Sequence, residues 1–333
     1  MKTANNLIQA QQLDLDTIMV LFGLTMIIKR EFGAGGERKE KLRTFLRHKN
    51  LLHLFYEPST RTRLSFEFAA SHLGMHIMGT ENAKEFSSAI KGESITDTME
   101  VLSRYHPDVI VLRHYEEGAS RKAAEVTNSH GIPLINAGDG AGQHPTQALL
   151  DLFTIFERFP VVKQGIKIIM GGDLKNGRTV RSLSYLLAKF ENVEIVFMSP
   201  KELKMASDIL EYLERHNVKC MKYDEDDNLN DVITSFNPDV LYWTRVQKER
   251  FPDEDSYLQV RDVFTITEET MRRMKTNSIL LHPLPRVNEI SEKIDNDPRA
   301  WYFKQAENGL YTRMALILYL VDKQKALNLH IGK

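Results

Sequence analysis

The chain has 333 residues, of which 42% are hydrophobic and 27% are charged, and its formal net charge is −1. This length is enough for two domains of ordinary size, and a near-neutral chain has no general electrostatic attraction for nucleic acid or for an anionic membrane. A single cysteine, Cys220, excludes an intrachain disulfide and a thiolate metal cluster, and one free thiol fits a reducing compartment.

An apolar run near the N-terminus, Ile18–Ile28, is about eleven residues long, whereas a helix that spans a membrane needs about 20. Asp14 and Asp16 precede the run and Lys29-Arg30 close it, which is the charge order that a helix dipole favours. The position of the run does not fit a signal peptide. We therefore predict a packed helix here and a cytoplasmic protein.

Short apolar segments alternate with helical patterns along the rest of the chain. The predicted strands are Leu51–Tyr56, His76–Gly79, Asp108–Arg113, Pro133–Asn136, Lys167–Gly171, Val193–Met198, Val218–Tyr223, Asp239–Trp243 and Ser278–His282. The clearest helical patterns are Ser94–Arg104, Gly118–His130 and Pro145–Phe159. This alternation predicts an α/β fold with two doubly wound domains, each a mostly parallel sheet with helices on both faces. Ligands of such folds bind beyond the carboxyl ends of the strands.

A polar turn follows the first predicted strand. Ser59, Thr60 and Thr62 are good residues for a helix start, and Arg61 and Arg63 add two guanidinium groups. Free backbone N–H groups at a helix start, together with hydroxyls and guanidiniums, form a strong receptor for a phosphate dianion. An ordinary helix cap with two exposed arginines explains the same spacing, so the turn alone leaves both interpretations open.

Further polar motifs follow other predicted strands. They are Ser87 and Lys91 in the polar loop Ala83–Glu93, Arg113-His114, the segment Gly138–Gln147, the loop Gly171–Arg178, and His282-Pro283-Leu284-Pro285-Arg286. Taken singly, each has an ordinary interpretation as a surface charge, a helix start or a rigid turn. The loop Gly171–Arg178 matches neither the dinucleotide fingerprint nor the P-loop. The acidic run Asp224–Asp227 lacks the spacing of a calcium loop and predicts a solvated turn.

Taken together and in this order, Ser-Thr-Arg-Thr-Arg at 59–63, His-Pro-Thr-Gln at 144–147 and His-Pro-Leu-Pro-Arg at 282–286 resemble the aspartate/ornithine carbamoyltransferase family. Asn136–Gly140 and Thr244–Arg250 add to the resemblance, which covers the chain from about residue 51 onward. It implies a carbamoyl-phosphate-binding domain of residues 1–145 plus the C-terminal helix 309–333. It also implies an aspartate-binding domain of residues 146–308, with the active site in the cleft between the domains.

The resemblance implies transfer of the carbamoyl group of carbamoyl phosphate to the amino group of L-aspartate, a step of pyrimidine biosynthesis. It implies that carbamoyl phosphate is bound by Ser59, Thr60, Arg61, Thr62, Ser87, Arg113, His144, Gln147 and the backbone carbonyls of Leu284 and Pro285. Catalytic roles fall to Arg61, Thr62, Lys91, Arg113 and His144. Attack of an amine on a polarised carbonyl needs phosphate clamps and an oxyanion site, so we expect no metal and no cofactor.

The acceptor site is implied to consist of Lys91, Arg178, Arg245 and Gln247, since guanidinium groups grip carboxylates in a fork. Glu57 and Arg250 resemble the family's interdomain ion pair, although two solvated charges are an alternative. Ornithine-specific members usually carry His-Cys-Leu-Pro where this chain has His-Pro-Leu-Pro at 282–285, so an anionic acceptor is favoured.

Two departures from the family pattern adjoin functional residues. Ile90 stands where many members have a second lysine, and Asn176 stands where an aromatic residue is frequent. Another amino-acid acceptor such as ornithine, and a non-catalytic scaffold that binds carbamoyl phosphate, remain as alternatives, because a fold alone does not imply activity. The resemblance also implies a homotrimer in which the loop Ala83–Glu93 reaches the adjacent chain's site. Regulatory subunits that bind such trimers are left open by the sequence.

Overall fold

The computed structural model describes residues 6–83, 92–160 and 164–331. The chain divides into two compact units. The first consists of residues 1–150 and 307–333, and the second of residues 151–306. The sequence analysis placed the corresponding domain boundaries at 145/146 and 308/309, so the two divisions differ by a few residues at each boundary.

A four-stranded parallel sheet forms the centre of the first unit. Its strands are β1 Asn50–Phe55, β2 His76–Glu81, β3 Val109–His114 and β4 Leu134–Asp139, and their order in the sheet is β2-β1-β3-β4. The helices are Leu15–Ala34, Gly36–Leu42, Thr60–His72, Ile95–Ser103, Ala119–Ser129 and Lys323–Ile331. Strands β3 and β4 are buried along their whole length, and β3 has the apolar run Val109–Leu112 that such burial favours.

The second unit is built on a five-stranded parallel sheet. Its strands are β5 Ile166–Gly171, β6 Val193–Met198, β7 Lys219–Tyr223, β8 Val240–Trp243 and β9 Ile279–Leu281, in the order β7-β6-β5-β8-β9. The helices are Arg178–Leu187, Ser207–Arg215, Leu229–Phe236, Glu254–Val260 and Glu268–Arg273. Short 3-10 helices lie at Lys201–Leu203, Lys248–Arg250 and Glu292–Ile294, and at Ala10–Gln12 in the first unit.

The two remaining helices run from one unit into the other. They are Pro145–Arg158 and Tyr302–Val321. The segment 307–333 is fastened to the N-terminal part of the first unit by polar and packing contacts. Lys29 Nζ donates to Asn308 Oδ1 at 2.7 Å, and Lys325 Nζ donates to the Phe45 carbonyl at 2.7 Å. A Cβ placed on Gly23 would lie 2.3 Å from the His330 ring, so a side chain at position 23 would displace that ring.

All nine predicted strands are present, with ends that differ by at most three residues. The predicted N-terminal helix is also confirmed, and Asp14 caps it by accepting from the Thr17 N–H at 2.7 Å. Its predicted end at Lys29-Arg30 is wrong, because the helix continues to Ala34. Among the residues that the structure describes, no helix combines the length and the apolar character needed to cross a bilayer.

Both sheets have a topological switch point, where successive connections leave in opposite directions. In the first unit it lies between β1 and β3, and in the second it lies between β5 and β8. In open α/β sheets, ligands bind beyond the carboxyl ends of the strands at such a point. We therefore expect a ligand site in the segments that follow these four strands. The segments after the adjacent strands β4 and β9 lie at the same sheet edges and are included.

Candidate active site

The turn after β1 has the geometry of an anion receptor. Ser59 is the N-cap of the helix Thr60–His72, and within the described part of the chain its hydroxyl makes no capping hydrogen bond to that helix. Thr62 is buried in the first turn, whereas Thr60 and Arg61 are exposed. The first backbone N–H groups of a helix have no partner inside the helix, and the dipole favours negative charge there. The turn thus offers hydroxyl, amide and guanidinium donors to an anion.

Arg63 is directed elsewhere. Its Nη1 lies 2.7 Å from Glu67 Oε1 and its Nη2 lies 3.1 Å from Glu81 Oε2. The same Glu67 oxygen lies 3.0 Å from Nε2 of the buried His53. Arg63 is therefore paired with carboxylates of its own unit, and Arg61 is the guanidinium of this turn that we expect to bind an anion.

Arg113, at the end of β3, is buried and tied to both neighbouring strands. Its Nη2 lies 3.0 Å from Glu57 Oε2, just beyond β1, and its Nη1 donates to the Ala137 carbonyl of β4 at 3.2 Å. The Tyr56 N–H donates to the Arg113 carbonyl at 2.8 Å, which holds the backbone at the same place. A buried guanidinium is thereby fixed at the switch point of the first sheet. The predicted pairing of Glu57 with Arg250 stays a prediction.

The segment that follows β4 positions His144 and Gln147. Asp139 Oδ1 accepts from the Gln143 N–H at 3.0 Å and from Asn136 Nδ2 at 3.1 Å, which shapes the glycine-rich turn between them. The His144 carbonyl accepts from the N–H of Gln147 at 3.1 Å and thereby starts the helix Pro145–Arg158. His144 is buried and Gln147 is half-buried, so both side chains are placed by the first turn of a rigid helix.

Backbone conformation in this turn requires glycine at one position. Gly140 has a φ of +50°, and a Cβ there would lie 2.6 Å from the Tyr115 carbonyl. The turn can therefore pass close to the segment that follows β3 only without a side chain. The glycine-rich run thus brings the ends of β3 and β4 together, and both carry predicted ligands.

In the second unit, Asp173 joins the two segments that carry the predicted acceptor residues. Its buried carboxylate accepts from the backbone N–H of Asn176 at 2.9 Å, from Asn176 Nδ2, and from the backbone N–H of Gln247. Burial raises the pKa of the Asp173 carboxyl, while these hydrogen bonds and the Arg250 guanidinium act in the opposite direction. The loop after β5, which ends at Arg178, is thus fixed to the segment after β8, which carries Arg245 and Gln247.

The segment after β9 is organised around His282. The His282 ring is fully buried, and its Nε2 lies 2.9 Å from Oε1 of the buried Glu289. Burial lowers the pKa of His282, the Glu289 carboxylate raises it, and the guanidiniums of Arg286 and Arg245 lower it further. Arg245 is therefore an electrostatic neighbour of the loop that contains Leu284. Arg286 binds Asp295 with both Nη atoms and donates to the Tyr302 hydroxyl at 2.9 Å, so it supports the loop.

The described residues therefore assemble two half-sites, one on each unit. The first half-site contains Ser59, Thr60, Arg61, Thr62, Arg113, His144 and Gln147 at the ends of β1, β3 and β4. The second contains Arg178, Arg245, Gln247, Leu284 and Pro285 at the ends of β5, β8 and β9. Ser87 and Lys91 lie outside the described residues, as does Ile90. The first half-site suits a phosphate ester and the second suits a dicarboxylate.

Several residues that hold these half-sites were missed by the sequence analysis. Asn136 and Asp139 belong to a segment that was noted for its glycines, and Asp173 belongs to a loop that was considered for nucleotide binding. The sequence did offer one signal for these residues, a polar side chain in a glycine-rich segment at the end of a strand. Asn and Asp side chains in such segments often form hydrogen bonds to nearby backbone groups. The bond from the distant Gln247 N–H to Asp173 had no sequence signal.

Within residues 6–83, 92–160 and 164–331, no group of three or more His, Cys, Asp or Glu side chains could hold a metal ion. The acidic run Asp224–Asp227 is a charged surface turn, as predicted. Lys201 Nζ lies 2.6 Å from Asp226 Oδ2, and Lys204 Nζ lies 3.0 Å from Asp224 Oδ2.

Comparison with known proteins identifies both halves of the chain. Residues 5–157 match the family model described as aspartate/ornithine carbamoyltransferase, carbamoyl-P binding domain. Residues 164–320 match the model described as aspartate/ornithine carbamoyltransferase, Asp/Orn binding domain. Aspartate carbamoyltransferase 1, chloroplastic, of Pisum sativum is 46% identical over 318 residues, which cover 95% of this chain and 78% of that protein.

Solved structures give the same answer. The catalytic subunit of Methanocaldococcus jannaschii aspartate transcarbamoylase superposes with a TM-score of 0.82 at 42% identity, and the match covers 96% of this chain and 99% of that chain. Aspartate transcarbamoylase of Trypanosoma cruzi, solved with carbamoyl phosphate and aspartate, superposes with a TM-score of 0.85 at 36% identity. That match covers 95% of this chain and 96% of the other.

Proposed function

The chain belongs to the aspartate/ornithine carbamoyltransferase family, and from this premise we propose that it is an enzyme that transfers the carbamoyl group of carbamoyl phosphate to L-aspartate. The products are N-carbamoyl-L-aspartate and phosphate. The observation that carries the proposal is the likeness to the Trypanosoma cruzi enzyme, whose structure contains both substrates. The two half-sites agree with it, because one suits a phosphate and the other suits a dicarboxylate.

In the first half-site, Ser59, Thr60, Arg61 and Thr62 bind the phosphate group. Arg113 bridges the phosphate and the carbonyl oxygen of carbamoyl phosphate, and its burial strengthens that interaction. Donors fixed before the reaction stabilise developing charge most effectively, because they need no reorganisation. The contacts of Arg113 with Glu57 and Ala137 show that its position is fixed by its own unit.

The chemical step is an acyl transfer. The amine nitrogen of aspartate attacks the carbonyl carbon, the carbonyl oxygen takes negative charge, and the bond from carbon to the phosphate oxygen then breaks. Phosphate departs with the bonding electron pair and accepts the proton that the amine nitrogen loses. Thr62 and His144 donate to the carbonyl oxygen in this proposal. Gln147 and the carbonyls of Leu284 and Pro285 hold the carbamoyl NH₂, which is a donor and requires acceptors.

The second half-site holds the acceptor. Arg178 lies at the start of a helix, and Arg245 lies in the loop two residues after β8. Asp173 connects their two segments through the Gln247 N–H. The two half-sites bind the two substrates of a single reaction, so they have to come together. An active site in the cleft between the domains is therefore part of the proposal. Two guanidiniums favour an acceptor with carboxylates over one with a cationic side chain.

An assay of ureido product tests the function. The purified chain is incubated with carbamoyl phosphate and either L-aspartate or L-ornithine. We expect product with aspartate and at least about 10³-fold less with ornithine, because ornithine places an uncompensated cation beside Arg178 and Arg245. Faster product formation with ornithine would establish the alternative acceptor. No product with either amino acid, while carbamoyl phosphate still binds, would establish the non-catalytic scaffold.

The assembly is the finer part of the proposal. We propose a homotrimer in which Ser87 and Lys91 of one chain complete the site of the adjacent chain, a heterologous ring that closes. Lys91→Gln and Arg61→Ala trimers should each be nearly inactive. After random mixing in equal amounts, roughly a quarter of the sites should regain both residues, from counting on a closed ring. Activity is measured before and after mixing, with exchange followed by native mass spectrometry. Confirmed exchange without recovery would contradict shared sites.

The cellular setting also belongs to the proposal. We place the reaction in pyrimidine biosynthesis and the protein in the cytoplasm. Whether regulatory subunits bind the trimers is left open by the sequence. Fractionation of the source cells and native mass spectrometry of the purified complex are the corresponding measurements.

A further inference from the structure

The loop between β9 and Ser291 is held at both ends by a buried ionisable pair. His282 directly follows β9, and Glu289 lies seven residues later; their side chains meet at 2.9 Å. The exposed fractions of the two side chains are 1% and 6%. Burial of two ionisable groups is costly unless they pair and find further hydrogen bonds. The pair therefore points to a function in the loop that it encloses.

Hydrogen bonds from the loop determine the tautomer of the His282 ring. The Leu284 N–H donates to His282 Nδ1 at 2.8 Å. A ring nitrogen that accepts a hydrogen bond carries no proton, so the proton of the neutral ring is on Nε2. Nε2 lies 2.9 Å from Glu289 Oε1, but the geometry of this contact is not that of a hydrogen bond. The ring is thus an acceptor toward Leu284 and lies in close electrostatic contact with the Glu289 carboxylate.

Glu289 is fixed independently of the ring. Its carboxylate oxygens accept from the Val287 N–H at 3.2 and 3.1 Å. Its backbone carbonyl accepts from the Ile266 N–H at 2.8 Å, which ties it to a neighbouring segment. The His282 backbone N–H donates to Gln305 Oε1 at 2.8 Å. Both ends of the loop are therefore anchored, and the ring lies between them, with Nδ1 bonded to the Leu284 N–H and Nε2 within 2.9 Å of the Glu289 carboxylate.

Leu284 has a backbone conformation that its sequence does not favour. Its φ is +54°, in the left-handed region that is rare for a bulky non-glycine residue. Such conformations persist where the surroundings determine them, and they concentrate at ligand contacts. The bond from the Leu284 N–H to His282 Nδ1 is the local contact that holds it.

We propose that His282 is a positioning residue for the transfer reaction, and that its neutral ring, oriented by Glu289, fixes the Leu284 carbonyl that accepts from the carbamoyl NH₂. The inference rests on the proposed function, since it assigns a ligand to that carbonyl. It goes beyond that function because neither side chain is among the groups that touch substrate. The relay joins three residues by two contacts, from Glu289 to His282 and from His282 to the backbone of Leu284.

The charges around the ring maintain the neutral form. Burial lowers the pKa of His282, and the nearby Arg286 and Arg245 act in the same direction, whereas Glu289 alone opposes them. A second proton on the ring would place an Nδ1–H against the Leu284 N–H and break that bond. The turnover of the wild-type enzyme should therefore fall as His282 becomes protonated at acidic pH.

Two substitutions of His282 distinguish a role in positioning the Leu284 carbonyl from a general role in stabilising the fold. In His282→Asn the side-chain oxygen can accept from the N–H two residues on, which is the usual Asx turn, so the bond to Leu284 is kept. In His282→Ala it is lost. We expect kcat to fall about 10²-fold in the alanine variant, because a shift of about 1 Å in a positioning group has that effect, and to recover to within about tenfold in the asparagine variant. His216→Asn, at an exposed histidine of the same unit, is the matched control and should behave as wild type.

Two further readouts belong to the same experiment. The Kd of inorganic phosphate, which engages only the turn at Ser59–Thr62 and Arg113, should be unchanged in all three variants. Glu289→Leu should lower kcat as much as His282→Ala, and the double variant should fall no further than either single one, because both act through one chain of contacts. Additive losses would overturn the relay.

Ring NMR gives a test that does not depend on activity. In ¹⁵N-histidine-labelled wild-type protein at pH 7.5, the His282 signal, identified by its absence from His282→Asn, should show Nε2 protonated and Nδ1 unprotonated. A proton on Nδ1, a charged ring, wild-type kcat in His282→Ala, or equal losses in the alanine and asparagine variants would each overturn the inference. A wild-type enzyme without turnover would instead overturn the proposed function, and the ring signal would still decide the hydrogen-bond relay.

Discussion

Nη2 of Arg113 lies 3.0 Å from Oε2 of Glu57, so the buried guanidinium at the end of β3 is paired with a carboxylate of its own unit. A phosphate group that binds Arg113 has to share it with this carboxylate. We predict that Glu57→Gln binds inorganic phosphate roughly three- to tenfold more tightly than wild type, since a neutral amide competes less for the guanidinium. Calorimetry with phosphate alone measures this.

Glu81→Gln is the matched control for this prediction. Glu81 is a carboxylate of the same unit, but it pairs with Arg63 and should leave phosphate affinity unchanged. Weaker phosphate binding by Glu57→Gln would mean that Glu57 supports the conformation of Arg113 that binds the anion. That outcome would contradict the idea that phosphate and the Glu57 carboxylate compete for Arg113.

The two arginines of the turn after β1 should behave differently. Arg61→Ala should lose about 10²- to 10³-fold in turnover with an unchanged Tm, because Arg61 is exposed at the start of the helix and contacts the anion in our proposal. Arg63→Ala should keep phosphate affinity but lose roughly 1–3 kcal/mol of stability, because it leaves Glu67 and Glu81 without their guanidinium. Thermal unfolding and steady-state kinetics of both variants check the prediction, and equal effects of the two substitutions would count against the separation.

Arg245 should affect the acceptor and spare carbamoyl phosphate. We expect Arg245→Ala to raise the KM for aspartate roughly 10²-fold and to lower kcat, because a carboxylate of the substrate loses its forked donor. The Kd of carbamoyl phosphate, measured by calorimetry without aspartate, should stay within about threefold of wild type. Arg261→Ala, which removes an exposed arginine paired with Asp262, serves as control. A matching loss of carbamoyl phosphate affinity would assign Arg245 to the other half-site.

Stability should fall on mild acidification. Burial lowers the pKa of His53, His114 and His282 below the ordinary value of 6.5. Below about pH 6.5 the unfolded chain therefore binds more protons than the folded chain, and stability falls with pH until the folded pKa values are reached. We expect the Tm to drop by roughly 3–6 °C between pH 7.5 and pH 5.5. The His282→Asn variant should show a shallower decrease, and a constant wild-type Tm across this range would refute the prediction.

The strands and their order of appearance could be predicted from the sequence, because continuous apolar runs such as that of β3 reflect burial on both faces. The site motifs could be placed because each follows a strand. The sequence of Ser59–Arg63 does not predict the direction in which each side chain points. Arg61 and Arg63 are equivalent by composition, and the structure shows that Arg63 turns toward Glu67 and Glu81.

Polar contacts between residues that are distant in the sequence could not be predicted either. The Asp173 carboxylate accepts from the Gln247 N–H across a separation of 74 residues, and no local pattern encodes it. The left-handed conformation of Leu284 was equally hidden, because leucine gives no signal for positive φ. Both features depend on which strands become neighbours, so they emerge only when the sheet is assembled.

The discontinuous first unit has a consequence for synthesis on the ribosome. The second unit, residues 151–306, is continuous in the chain, whereas the first also requires the segment 307–333. Lys29 and Phe45 receive their partners Asn308 and Lys325 only after that segment has emerged. Domains usually fold as units in the order of translation, at about 5–20 residues per second. Here we expect the order to be reversed, with the second unit able to finish first while the phosphate-binding unit waits for its last helix.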